Sequence, residues 1–334
     1  MQLQTYADLQ QDILYNLWKI PDGVDLIVGI PRSGMLAATL IALARNLPLT
    51  DLDGFCHGRV FQSGSTRRRA GRESEYRHAL IVDDSSRTGT AMIQARTQIS
   101  ASPVNIPATT TCVVYGGSTL GSQIDIIMKD IDGPRIFEWN VLQHPGILKD
   151  ACLDIDGVIC HDPSHVENDD GDAYSNFLAN ARPLHIPSHP IRALVTSRLE
   201  RYRPETEDWL RRHNVKYGEL IMLDLPDGLS RRRLGVHGSH KAAYYSNSPA
   251  TLFIESEMAQ AFEIARLSGK PVLSLEGPIM CMPGAMSPRA LRQRFTNTRL
   301  FARWLRGKIG DQRVDRLRDL YLRVAGNQNA ERSR

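Results

Sequence analysis

The chain is poor in cysteine, and the cysteine it has is not paired in sequence. Five occur among 334 residues, at positions 56, 112, 152, 160 and 281. An odd number with no C-x-x-C spacing argues against a disulfide framework and against a standard zinc site. Cys112 and Cys152 fall in apolar runs and are expected to be buried reduced thiols, which points to the cytoplasm. Long apolar runs are also missing: none reaches the roughly 18 residues of a membrane span. The opening MQLQTYADLQQDILYNLWKI lacks the basic-then-apolar order of a targeting segment. It reads as an amphipathic helix with Leu9, Ile13, Leu17 and Ile20 near one face. Excess charge is missing too. A net charge of +4 is too small by itself to argue for a nucleic-acid partner. No internal repeat is evident. His161, His165, His185, His189, His237 and His240 fit no metal-site spacing and read as surface or rim residues.

What is present describes a soluble α/β protein. Hydrophobic residues make up 42% and charged residues 23%. One core rarely grows to this chain length, so two domains are expected. Apolar β-branched runs at 24–30, 78–84, 110–117 and 124–128 alternate with helical stretches. A second series lies at 150–158, 191–197, 218–223, 250–256 and 270–275. Continuous apolar strands separated by helices predict two doubly wound parallel sheets, each covered on both faces. The Pro and Gly of HPGILK place the boundary near residues 144–149. The expected division is 1–147, 148–285 and a basic helical extension, 286–334.

In the first half, the strand ALIV ends in Asp83 and Asp84 and runs into Ser85, Ser86, Arg87, Thr88, Gly89 and Thr90. Small hydroxyl residues at a helix N-terminus present N–H and O–H donors suited to a phosphate dianion. Two acids just before them suit paired sugar hydroxyls, and could reach Mg²⁺ through water. The segment resembles the phosphoribosyl pyrophosphate (PRPP) signature of the type I phosphoribosyltransferases. Strand 24–30 ends in Gly29-Ile-Pro-Arg-Ser-Gly34, which looks like that family's pyrophosphate loop, with Arg32, Ser33 and Gly34 as binding residues. The arginine-rich stretch Gly64–Arg72 falls where the family carries a mobile loop; a solvated basic loop is the equal alternative. The resemblance implies attack on the anomeric carbon of PRPP as pyrophosphate leaves, with Mg²⁺ and arginines stabilising the leaving group. No aromatic pair stands out as a base clamp. Phe137, Trp139 and Asn140 are the candidates, although core packing explains those aromatics more simply.

In the second half, Leu153-Asp154-Ile-Asp156-Gly157-Val158 follows a strand start. Two acids two residues apart suit a nucleophile and a general acid, both close to one Mg²⁺. The pattern resembles the first motif of the haloacid-dehalogenase (HAD) phosphatases. That likeness implies that Asp154 attacks phosphorus and Asp156 protonates the leaving alcohol while ligating metal through its carbonyl. Thr196 in ALVTSR, Lys241 in SHKA and Glu255 in LFIES match the later motifs in order. The family usually has Asp at the last position. Here Glu255, with Glu257 as the alternative, must supply the metal carboxylate. Roughly 40 residues separate Asp154 from Thr196, and about 45 separate Thr196 from Lys241. Such short inserts suggest an open, nearly capless site, with His161 and His240 as candidates for its mouth. The acidic stretch Glu167–Asp172 lacks EF-hand placement and reads as a solvated loop.

The fusion looks like the dual-domain ribofuranosyltransferases of bacterial polysaccharide assembly. This implies phosphoribosyl transfer to a glycan acceptor, lipid-linked or soluble, followed by removal of the 5-phosphate. Two alternatives stand beside it: nucleobase salvage and a PRPP-sensing regulator. The basic tail (Arg289, Arg292, Arg294, Arg299, Arg303, Arg306) suits a peripheral contact at the inner membrane face. Interspersed Asp311, Asp315 and Asp319 favour plain packing of that tail instead. The oligomeric state is left open.

Overall fold

The computed structural model describes residues 1–61, 76–168, 170–227, 230, 233 and 236–284. The arginine-rich stretch 64–72, the stretch 288–325 expected to form basic helices and Asp169 of the acidic stretch lie outside the described residues. The chain divides into two compact units, Met1–Trp139 and Asn140–Arg334, ahead of the division expected after residue 147.

Among the described residues of the first unit seven strands form two sheets: β1 Gln2–Gln4, β2 Leu26–Gly29, β3 Leu49–Asp51, β4 His78–Ser85, β5 Ala108–Gly116, β6 Ile126–Asp130 and β7 Arg135–Phe137. The main sheet has the order β3-β2-β4-β5-β6 and is parallel throughout. Helices α1 Tyr6–Asn16, α2 Gly34–Arg45, α3 Leu52–Cys56 and α4 Thr90–Ser100 accompany it. Strand alternation sends Ile27, Leu80 and Val82 into one core with Leu9, Ile13, Ala37 and Ile41. It sends Leu26, Val28, Ala79 and Ile81 into a second core with Phe55, Met92 and Ala95. Both faces are therefore covered, which is why these strands read as unbroken apolar runs. The short pair β1 and β7, parallel and apart from the main sheet, is not visible as an apolar run.

The N-terminal helix forms as its pattern predicts. Thr5 caps it in a reciprocal box with Asp8, and Leu9 and Ile13 are its buried face. Leu17 belongs to a following 3₁₀ turn, Leu17–Lys19.

The second unit has a six-stranded sheet. Its strands are β8 Ala151–Leu153, β9 Ile191–Leu199, β10 Tyr217–Leu223, β11 Leu252–Glu255, β12 Val272–Ser274 and β13 Ile279–Cys281. The order is β10-β9-β8-β11-β12-β13, parallel except for the antiparallel edge strand β13. Among the described residues, helices 203–212, 237–247 and 258–268 are the longest that accompany it. The insert after β8 adds one helix, Asp172–Asn180. All five cysteines are buried and free. No helix among the described residues is long and apolar enough to cross a membrane.

Candidate functional sites

In the first unit the chain leaves β2 toward β3 on one side, while β4 lies on the other. That reversal makes a switch point, the place where open parallel sheets leave a crevice at their carboxyl ends. The turn 30–34 after β2 and the turn 85–90 after β4 flank it. One bond ties them: Ser33 Oγ donates to Asp84 Oδ1 at 2.9 Å. The other oxygen of Asp84 accepts from Trp139 Nε1 at 3.0 Å. Asp83 and Asp84 are both buried. Asp83 Oδ1 accepts the Asp84 amide at 2.9 Å. Burial, and then the Asp84 charge, push Asp83 up to about 8. Burial beside a second acid thus favours the neutral form of Asp83.

The turn itself is built from small residues. Gly89 has φ of +76° and starts α4, and its amide donates to Ser86 Oγ at 3.0 Å. The hydroxyls of Thr88 and Thr90 lie 2.8 Å apart. Arg32, Arg87, Thr88 and Thr90 are exposed, while Ser85 is half-buried. Gly34 opens α2 where a Cβ would stand 2.8 Å from the Val82 carbonyl oxygen. Only glycine lets that helix start so close to β4. Sequence reasoning missed Arg135, whose guanidinium donates to the Ser86 carbonyl at 2.5 Å. Phe137 and Trp139 are stacked, centroids 4.7 Å apart, and Tyr6 lies 5.8 Å from Trp139. Both rings pack on the core, as the simpler reading expected, and Trp139 additionally reaches Asp84.

The second unit has its own switch point, between β8 and β11, since β9 and β10 lie on the far side of β8. Asp154 follows β8 and Glu255 ends β11. Lys241, from helix 237–247, donates to Asp154 Oδ2 and to Glu255 Oε2, both at 2.7 Å, and to Gln260 Oε1 at 3.0 Å. All three charged groups are buried. Burial raises Asp154 to about 8 against the pull of Lys241, while Glu255 and Asp156 push the same way as burial. Burial opposes the charge on Lys241, but the two carboxylates outweigh it and hold its pKa above the ordinary value. The ammonium is thus the firmly charged partner.

Asp154, Asp156, Thr196 and Lys241 line one cleft of about 730 Å³. Asp162, Tyr174, His185, His237, Glu257 and Gln260 line it too. His185 and His237 take the wall positions expected of His161 and His240. The insert after β8 supplies Asp162, Asn168, Tyr174 and His185, so it walls the cleft although it holds a single helix. Asp156 is gripped by Arg198, whose Nη2 donates to Oδ1 at 2.6 Å and Nε to Oδ2 at 3.1 Å. Arg198 is 1% exposed. Burial disfavours its charge, yet Asp156 more than offsets this and holds its pKa above the ordinary arginine value. Sequence reasoning assigned Arg198 no role; its place two residues beyond Thr196 on β9 was the available signal.

The cleft carboxylates of Asp154, Asp156, Asp162 and Glu257 are hard oxygen donors and fit Mg²⁺ chemically. Among the described residues no three His, Cys, Asp or Glu side chains are already arranged as a metal cage. Glu255 Oε1 accepts the amides of Ser256 at 3.0 Å and Glu257 at 3.3 Å, so both its oxygens have protein partners. Glu257, not Glu255, lines the cleft.

The fold and these constellations define a mixed α/β protein with two parallel-sheet units, each bearing buried acids at a switch point. Among solved structures, a purine phosphoribosyltransferase from Pyrococcus horikoshii Ot3 is similar at TM-score 0.31 and 16% identity, over 42% of this chain and 93% of its own. The xanthine-guanine-hypoxanthine phosphoribosyltransferase of Helicobacter pylori gives 0.33 and 14%, over 42% and 93%. The UMP synthase of Leishmania donovani gives 0.24 and 17%, over 39% and 26%. Likeness at this level assigns neither an activity nor a substrate. No protein family and no curated protein matches the chain in sequence.

Proposed function

We propose that the chain is a two-centre enzyme. The first unit binds PRPP and transfers its phosphoribosyl group with release of pyrophosphate. The second unit removes the 5-phosphate through a HAD-like aspartyl nucleophile. The observation that carries this reading is the meeting of Lys241, Asp154 and Glu255 at 2.7 Å, from helix 237–247 and the ends of β8 and β11. The Ser33 to Asp84 bond at the first switch point supports the other half.

In the first centre, Asp84 and Asp83 receive the ribose hydroxyls. The turn 85–90 holds the 5-phosphate by its amides and by the hydroxyls of Ser85, Ser86, Thr88 and Thr90. Arg32 and Ser33 face the pyrophosphate. Positioning and charge stabilisation do the chemistry, since no protein nucleophile is required. In the second centre, Asp154 attacks phosphorus, Thr196 holds a phosphoryl oxygen and Lys241 offsets the accumulating negative charge. Asp156, oriented by Arg198, gives its proton to the leaving sugar oxygen, then takes one from the water that attacks the phosphorus and frees Asp154 with release of inorganic phosphate. Asp154, Asp156 and Glu255 or Glu257 would hold Mg²⁺, which supplies charge stabilisation at the transferred phosphoryl group.

The acceptor in this reading is a glycan, lipid-linked or soluble. The pairing of a transfer centre with a phosphatase centre then yields net transfer of plain ribose. One observation favours a second acceptor. The stacked Phe137 and Trp139 beside Asp84 suit a planar nucleobase, which would make the chain a salvage enzyme.

The test incubates the full chain with Mg²⁺, PRPP and glycan or nucleobase acceptors, and follows products by mass spectrometry. Asp154→Asn runs in parallel. A glycan gaining ribose phosphate with the variant and bare ribose with the wild type is the expected result. Reaction with nucleobases alone overturns the glycan acceptor and keeps both centres.

A further inference from the structure

The acid expected to read the ribose does not stand free. Both oxygens of Asp84 already accept a bond from a protein donor. Ser33 Oγ reaches Oδ1 at 2.9 Å, and Trp139 Nε1 reaches Oδ2 at 3.0 Å. A carboxylate offers about four acceptor sites, two on each oxygen. The Asp83 side chain also bonds to that of Asp84, so of these about one stays open, aimed by Ser33 and Trp139. Asp84 then receives one ligand hydroxyl, and Asp83 beside it can take the neighbour.

Trp139 is itself held. Its ring stacks on Phe137 at 4.7 Å with planes 24° apart, and Tyr6 lies 5.8 Å away. The indole N–H donates and cannot accept, so its orientation on Asp84 is fixed in sense. Arg135 and Phe137 lie on β7, and Trp139 lies in the turn that follows it. Arg135 grips the Ser86 carbonyl at 2.5 Å and the Ile131 carbonyl at 3.0 Å. Thus β7 and the residues just after it brace the ligand turn at two points, Ser86 and Asp84. The segment takes its place by pairing with β1, and the Tyr6 amide donates to Glu138 at 2.9 Å.

We propose that Trp139 is a positioning residue that orients the Asp84 carboxylate to recognise, with Asp83, the paired 2- and 3-hydroxyls of a ribose 5-phosphate unit. It deepens the phosphoribosyl reading of the first centre and rests on it. Trp139 acts through Asp84 and sets the preference for ribose over 2-deoxyribose. Deoxyribose lacks one of the two hydroxyls, so it gains little from an oriented carboxylate.

The experiment measures binding of PRPP, ribose 5-phosphate and 2-deoxyribose 5-phosphate to the full chain by titration calorimetry with Mg²⁺. Trp139→Phe keeps an aromatic ring and removes the N–H. The variant is expected to lose about tenfold to hundredfold in affinity for ribose 5-phosphate, the usual cost of a lost bond to a charged group. Affinity for 2-deoxyribose 5-phosphate should change little, so the preference collapses. Equal weakening of both ligands, or no change in either, overturns the proposal. The wild type supplies a second reading that no folding defect affects. The chain has four tryptophans, and one indole N–H resonance is expected to shift with ribose 5-phosphate but not with the deoxy compound. No responding indole signal overturns the role of Trp139. A wild type that binds neither PRPP nor ribose 5-phosphate overturns the phosphoribosyl reading as well.

Discussion

At the scale of single residues, burial separates acids that look alike in sequence. Asp83 and Asp84 are adjacent, yet Asp84 has two protein donors while Asp83 is pushed up to about 8. Between its ordinary 3.8 and about 8, folded Asp83 keeps a proton that the unfolded chain gives up. Folding takes up that proton, so the contribution of Asp83 to stability is full below pH 4 and falls as pH rises through 8. Asp83→Asn should flatten this slope relative to wild type, read as melting temperature against pH from 5 to 9. Lys241 is the opposite case, a buried cation serving two buried carboxylates. Lys241→Met removes the counter-charge of both and is expected to cost about 3–5 kcal/mol in urea unfolding. It should also abolish phosphate release. Lys241 was legible because a motif order singled it out. The grip of Arg198 on Asp156 was not, since a pair 42 positions apart leaves no local pattern. Trp139 was legible only as an aromatic; its bond to Asp84 depends on where β7 is placed.

At the scale of elements, legibility followed burial. Strands covered on both faces are apolar throughout, so β2, β4, β5, β9 and β11 were readable. The strands β1, β3, β7 and β13 have three residues each and lie at edges or outside the main sheet. At an edge three residues are too few to show a period, whereas the equally short β8 and β12 lie inside their sheet and within the apolar runs 150–158 and 270–275. The start of α2 is a further element whose placement rests on one residue. A Cβ at Gly34 would meet the Val82 oxygen at 2.8 Å and Asp83 Cα at 3.0 Å, both main-chain atoms of β4. These cannot step aside as a flexible side chain could. Gly34→Ala should therefore displace the helix from the switch point and cost about 1–3 kcal/mol, the range of overpacked cores. Denaturant unfolding checks the stability, and calorimetric titration with PRPP is expected to show weakened binding in parallel.

At the scale of the whole molecule, each unit closes its own core. The cores around Ile27, Leu80 and Val82 and around Val28 and Ile81 draw only on residues before 140. The core around Cys152, Val195, Tyr245 and Phe253 draws only on residues after 151. The parallel sheets of both units were legible from alternating apolar runs. The point of division was less so, because Pro and Gly mark a turn but not which side of it belongs to which core. Here β7 and Trp139 complete the first unit, which moves the division to Trp139/Asn140. Self-contained cores are the physical condition for independent folding. Residues 1–139 and 140–334, expressed apart, should each show a cooperative unfolding transition. The first half alone should turn PRPP and acceptor into a phosphorylated product, and adding the second half should release its phosphate. A first half that stays unfolded would mean that contacts with the second unit complete its core, and the division of labour between two autonomous centres would have to be withdrawn.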